Sequence, residues 1–183
     1  YLGNIGDDSL RLSFYDSNRK EIVFTKAIGK PTNNWQKKEI IVPTLHNSHK
    51  VDLIISFKNR GIVYLDESSL MPINNFNGVR KEYYDFYKYW KPGLLRYPGG
   101  CFADSPQNKL QNCIGEIDQR KSPNLVSNMF EQRMDFGIDE FIKLCKSLDS
   151  EPHITINFAN GTSAQAADYV EYCNGLDNTY WGN

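Results

Sequence analysis

The stretch "LLRYPGGCFADS", residues 94–105, decides how this chain folds. Leu94 to Tyr97 is a short strand-like run, and it stops at Pro98-Gly99-Gly100 before resuming with a thiol, Cys101. Paired glycines free the backbone and also let a ligand approach it closely. The segment is therefore a bare turn or the rim of a binding site, and its flanks separate the two readings.

Upstream, "GVRKEYYDFYKYWKPG" puts Val79, Tyr83, Phe86, Tyr87 and Trp90 on one helical stripe that Pro92-Gly93 ends. Downstream, a second helix runs from about Ile138 to Leu148, with Ile138, Phe141, Ile142 and Cys145 on one face. "PHITINF" (152–158) reads as the next strand. Thr162-Ser163-Ala164-Gln165 has capping-box spacing and opens a third helix, with Ala166, Ala167, Val170 and Cys173 inward and Asn174-Gly175 as its stop. Helix, strand, helix, strand, helix implies parallel strands joined by right-handed crossovers. Between Pro98 and Phe136 no clear helix or strand is legible, although βα connections usually take about two to six residues. Loops after the carboxyl ends of such strands are where ligands bind. The long connection beginning at PGG is thus the site candidate on physical grounds.

The amino-terminal part has a different period. From Leu10 to Met71, "LRLSFYD", "KEIVFTKAIG", "WQKKEIIVP", "KVDLIISFKN" and "GIVYLDESSLMP" are five strand-like runs. Turn signals at Asp16-Ser17-Asn18, Pro31-Thr32-Asn33-Asn34, His46-Asn47-Ser48 and Asn59-Arg60-Gly61 divide them. This spacing indicates a sandwich or barrel. The boundary falls at residues 73 and 74, giving an all-β part (1–73) and an α/β part (74–183).

A net charge of -1 argues against nucleic acid, whose binders carry a basic excess. No apolar run is long enough to span a bilayer. Cys101, Cys113, Cys145 and Cys173 form no CxxC pair, and with His46, His49 and His153 they form no zinc-type cluster. Free thiols are the default, with Cys145 and Cys173 on buried helical faces and a Cys101–Cys113 disulfide as the alternative. There is no signal peptide or initiator Met, and the ends at Tyr1-Leu2 and Trp181-Gly182-Asn183 read as those of a piece of something longer.

The motif series is specific. "LLRYPGGCFADS", "CIGEIDQR" and "MDFGIDEFIKLCKSLDSEPHITINFANGTSAQAADYVEYCNG" follow in order, and the whole resembles the alpha-L-arabinofuranosidases of glycoside hydrolase family fifty-one. Upstream, "WQKKEIIVP", "GIVYLDESSLMP" and "NNFNGVRKE" resemble the jelly-roll-like β-sandwich module, of carbohydrate-binding type, inserted in one branch of that family, followed by the first barrel helix. The resemblance implies a (β/α)8 TIM barrel, of which this chain supplies strands two and three, preceded by part of the sandwich. It implies retaining hydrolysis of terminal arabinofuranosyl units by two glutamates about 5 Å apart. In the family these glutamates end strands four and seven, so the resemblance places both outside this chain. It implies no cofactor or metal, and an arabinose-containing oligosaccharide or polysaccharide as partner, with self-association left open. A secreted, periplasmic or cell-wall setting is favoured over the cytoplasm.

Five residues are singled out as substrate-binding: Arg96, Gly100, Cys101, Phe102 and Asn157. The resemblance places Cys101 beside the arabinose subsite, against an ordinary buried thiol. Arg96 either orients a catalytic carboxylate or holds strands together in an ion pair. Asn157, near a strand's carboxyl end, is a candidate for facing the site, whereas His153 near its start reads as structural. Asp104, Glu116, Asp118, Asp135 and Glu151 read as solvated charge. Phe14, Tyr15, Trp35 and Tyr64 are either a sugar-stacking platform or core. Where the family has a Trp before the CIG segment this chain has Leu110, and Glu116 replaces a common Pro. Losing an aromatic wall would weaken stacking on a sugar face. That opens an alternative reading, a carbohydrate-binding protein with decayed hydrolase activity.

Overall fold

The computed structural model describes residues 1–43, 45, 50–106, 108–121 and 134–182. His46, His49 and the turn expected at 46–48 lie outside them, as does the middle of the long connection. The chain divides into two compact units, Tyr1–Ser69 and Leu70–Asn183.

In the first unit the strands are β1 (Leu2–Asn4), β2 (Leu10–Asp16), β3 (Glu21–Gly29), β4 (Val51–Ser56) and β5 (Ile62–Tyr64). β2 lies between β3 and β4, antiparallel to both, and β1 pairs antiparallel with β5. As the central strand, β2 buries Leu10, Leu12 and Phe14, and the Phe14 ring sits 6.1 Å from that of Phe24 across the pair. The expected turn at 16–18 forms because the Asp16 carboxylate accepts the Asn18 and Arg19 N–H groups at 2.9 and 3.0 Å. The run 35–43 is not a strand. Its alternation suits one, but among the described residues its backbone pairing of ladder type is between Gln36 and Tyr1 alone, and a single residue pair makes no ladder.

The second unit holds α1 (Lys81–Trp90), β6 (Leu94–Tyr97), the short helices α2 (Gly100–Ala103) and α3 (Leu110–Cys113), α4 (Ile138–Leu148), β7 (Glu151–Ile154) and α5 (Ser163–Asn174). β6 and β7 are parallel, with Arg96 beside His153 and Tyr97 beside Ile154. The connection read as lacking regular structure holds α2, α3 and a 3-10 turn at Ile117–Gln119. Each is three or four residues long, too short to leave a periodic signal.

α4 forms where its apolar stripe predicts. Ile138, Phe141, Leu144, Cys145 and Leu148 are buried, and burying each large apolar side chain stabilises by about 1.5–3 kcal/mol. Glu140 reaches back to the Gly137 N–H at 2.8 Å and so caps the helix start. A left-handed Asp149 (φ 56°) ends the helix. Ser150 then donates its hydroxyl to the Pro92 carbonyl at 2.6 Å, fixing the start of β7 beside that of β6. The core joins Leu110, Ile138, Phe141, Cys145 and Tyr169, with Leu95, Tyr97 and Ile154 packed on it from the strands.

Two helical faces differ from the sequence reading. α5 has the expected cap, with Gln165 N–H on the Thr162 hydroxyl at 3.2 Å, but it buries Tyr169 and leaves Val170 and Cys173 exposed. The reason is polar. Tyr169 and Tyr172 direct their hydroxyls inward, to Asn108 (3.3 Å) and to Asp139, and these bonds set the rotation of the helix. The expected α1 stripe forms from Tyr83 to Trp90, with Val79 outside the helix in a bridge to Phe76, yet no residue of α1 is buried.

Candidate active site

The carboxyl ends of β6 and β7 carry the candidate site. Tyr97 closes β6 and is its anchor. Its ring lies against Phe102, Phe136 and Phe141 at 6.4, 5.5 and 5.3 Å, and its hydroxyl donates to the Phe136 carbonyl at 2.6 Å. Burial pushes its phenol well above the ordinary tyrosine range, so it stays neutral. From this fixed point the chain passes Pro98 and turns at the glycine pair. Gly100 adopts φ +56°, in the left-handed region that favours glycine, and a Cβ there would meet no atom within 4 Å. At Gly99 a Cβ would meet the Arg96 guanidinium at 3.1 Å. The turn reading holds, since the backbone needs Gly100, and the space beside that residue is open.

Of the residues singled out, Arg96 and Cys101 are exposed. Among the described residues Arg96 makes no ion pair. Cys101 has its thiol free, on the turn of α2, and Cys113 is a free buried thiol, so the alternative disulfide is absent. Cys113 faces Asn108 at 3.5 Å and Tyr169 at 3.8 Å instead, and burial pushes its thiol up to about 11. Phe102 is half-buried against Tyr97. Asn157 lies past the end of β7, which stops at Ile154, and its amide donates to the Ser105 carbonyl at 2.8 Å. His153 is exposed on β7. The structure thus sets the Arg96 guanidinium beside Gly99 and ties Asn157 to Ser105, two residues past the turn that carries Cys101. A concavity lined by Cys145, Lys146, Asp149 and Glu151 lies at the amino end of β7, away from this turn.

Leu110 does not stand where an aromatic wall would face solvent. It is 2% exposed, in the core shared by α3, α4 and α5. The aromatics of the first unit do not form one platform: Phe14 is core, whereas Trp35 and Tyr64 are exposed.

The strongest polar feature escaped the sequence reading. Arg120 grips Glu140 with two parallel bonds, at 2.8 and 3.0 Å, and donates to the Gly115 and Met134 carbonyls as well. Its side chain is 2% exposed and that of Glu140 11%. Burial opposes the Glu140 charge, but hydrogen bonds from Arg120 and the Gly137 N–H outweigh it and hold the carboxyl below the usual range. The pair fastens the long connection to the start of α4. Its signal was available: a Glu at the third helical position after Gly137 marks a helix start, and an arginine ends the "CIGEIDQR" segment.

Residues 86–183 match the "Alpha-L-arabinofuranosidase 1 domain" family. A probable alpha-L-arabinofuranosidase C of Aspergillus flavus is 37% identical over 61% of this chain and 22% of its own length. Alpha-L-arabinofuranosidase 1 of Arabidopsis thaliana is 23% identical over 100% of this chain and 30% of its own. Among solved structures, the alpha-L-arabinofuranosidase of Thermotoga maritima, determined in an arabinose complex, superposes with a TM-score of 0.56. It is 36% identical and is matched over 62% of this chain and 23% of its own. The chain therefore spans about a fifth to a third of the length of these relatives.

Proposed function

Since the chain belongs to the alpha-L-arabinofuranosidase family, we propose that it is part of a retaining glycosidase that releases terminal alpha-L-arabinofuranosyl residues from arabinose-containing polysaccharides and oligosaccharides. One observation carries this reading. A parallel strand pair bridged by α4 presents an open, glycine-built turn and an exposed thiol at its carboxyl end, within the matched residues. In barrel enzymes that end holds the chemistry. On this reading β6 and β7 are barrel strands two and three, and residues 1–73 belong to a β-sandwich module. The acid/base and nucleophile glutamates come from polypeptide outside residues 1–183. Arg96, Gly100, Cys101 and Phe102 line the arabinose-facing rim.

The rim supplies shape and polarity rather than proton transfer. The Arg96 guanidinium, without an ion pair among the described residues, offers planar donors to a carboxylate arriving from another strand, and its charge favours that group's ionised form. Gly100 leaves room for a ring to approach the main chain, and the small Cys101 side chain borders it without crowding.

The test is release of arabinose from a chromogenic alpha-L-arabinofuranoside by the full-length polypeptide, with product stereochemistry followed by NMR. Turnover giving the alpha anomer first supports the proposal. No turnover, with calorimetric binding of arabino-oligosaccharides, would leave a sugar-binding protein in its place.

A further inference from the structure

Beyond β7, two asparagines use their side-chain amides on the protein itself. Asn157 donates to the Ser105 carbonyl at 2.8 Å and accepts the Asn160 N–H at 2.9 Å. Asn160 donates in turn to the Asp104 carbonyl at 2.7 Å. Residues 104 and 105 follow directly on α2, the four-residue turn that carries Cys101 and Phe102. A helix of that length is not stable by itself. Just past it the Ser105 N–H reaches the Phe102 carbonyl at 3.3 Å. Asn108 braces the Ala103 carbonyl at 2.9 Å, and the two asparagines hold the exit from the loop after the neighbouring strand. Each of these contacts needs an amide: Asn157 both donates and accepts, and an ionised carboxylate in its place has no N–H to give.

We propose that Asn157 and Asn160 are positioning residues that clamp the Cys101 turn in place at the rim. The clamp stands on the hydrogen bonds alone; its consequence for sugar binding rests on the arabinofuranosidase reading. The turn would meet the sugar before and during reaction alike, so loosening it removes uniform binding and raises KM while leaving kcat near its native value.

The experiment compares the full-length protein with Asn157→Asp and Asn160→Asp, and with Asn174→Asp as a control for loss of an exposed amide on α5. Hydrogen exchange is followed in peptides covering 99–108 and 138–148. In either clamp variant, exchange over 99–108 is expected to quicken roughly 5- to 10-fold, the effect of one neutral hydrogen bond, with 138–148 unchanged. KM for a chromogenic alpha-L-arabinofuranoside is expected to rise by a similar factor, with kcat within about twofold. Unchanged exchange over 99–108 overturns the clamp. Faster exchange with an unmoved KM overturns its role in sugar binding. If the wild type neither turns over the arabinofuranoside nor binds arabino-oligosaccharides, the functional reading fails, and the exchange result alone accepts or rejects the clamp.

Discussion

Replacing Arg120 with methionine keeps a long apolar stem and removes the guanidinium, which isolates what the ion pair contributes. Five donor contacts disappear: two to Glu140, two to the Gly115 carbonyl and one to Met134. Glu140 then keeps the Gly137 N–H but, among the described residues, has no countercharge where it is 11% exposed. Stranding a buried carboxylate in this way costs about 3–5 kcal/mol. At about 1.4 kcal/mol per tenfold, local opening of α4 becomes on the order of 100- to 3000-fold more frequent. The chain divides into two compact units, so a global melt would mix transitions, and native-state hydrogen exchange over 138–148 is the appropriate assay. The pH dependence follows from Glu140. A carboxyl whose native pKa lies below its unfolded value, here near about 4.3, adds stability that is fully present above that value. That stability is lost as pH falls through the native pKa. The gap between wild type and variant is therefore full at neutral pH and closes in acid. An exchange difference below tenfold at pH 7, or a gap that does not narrow toward about pH 3, would refute the reasoning.

Thiol labelling with peptide mass spectrometry at about pH 8 should modify Cys101 and Cys173 and spare Cys113 and Cys145 until denaturant is added, because both spared thiols are buried and that burial raises their pKa. Gly100→Ala and Gly137→Ala should differ sharply in native-state hydrogen exchange of the second unit. The first places alanine at φ +56° with space around it and costs about 1–2 kcal/mol, whereas the second drives a Cβ into the Cys113 carbonyl and should prevent α4 from docking. Tyr97→Phe, which removes only the bond to Phe136, should cost about 0.5–1.5 kcal/mol by hydrogen exchange of α4, and Tyr97→Ala about 3–5 kcal/mol. On α5, Val170→Asp should be within about 0.5 kcal/mol of wild type, because Val170 is 63% exposed.

What the sequence disclosed were the features that depend on spacing. The α4 stripe, the Thr162–Gln165 cap and the PGG turn each rest on a few residues at fixed offsets, and the structure has all three. What it hid depends on partners distant along the chain. The run 35–43 alternates like a strand, and nothing within it reveals that, among the described residues, no strand pairs with it. On α5, hydrophobicity pointed to Val170 and Cys173. The side that wins carries Tyr169 and Tyr172, whose rings bury apolar area while their hydroxyls reach Asn108 and Asp139. Asn157 was legible as a polar residue near the end of a strand, but its partner Ser105 lies 52 positions away and no local pattern names it.

Strand alternation also bears on the role proposed for Arg96. Leu95, Tyr97 and Ile154 pack on the core that holds α4, and successive side chains on a strand point to opposite faces. Arg96 and His153, neighbours in the parallel register, therefore lie on the face away from α4, and both are exposed there. A parallel sheet ordinarily has both faces covered. A charged residue on the second face is consistent with a cover that brings opposite charge, because burying Arg96 under apolar side chains would strand its guanidinium. This is the physical content of the orienting role proposed for Arg96. Arg96→Lys in the full-length protein should accordingly lower kcat for an alpha-L-arabinofuranoside by at least tenfold, since an ammonium cannot reproduce the planar fork that holds a carboxylate in one orientation. Retention of full activity in that variant would place the guanidinium outside the reacting assembly.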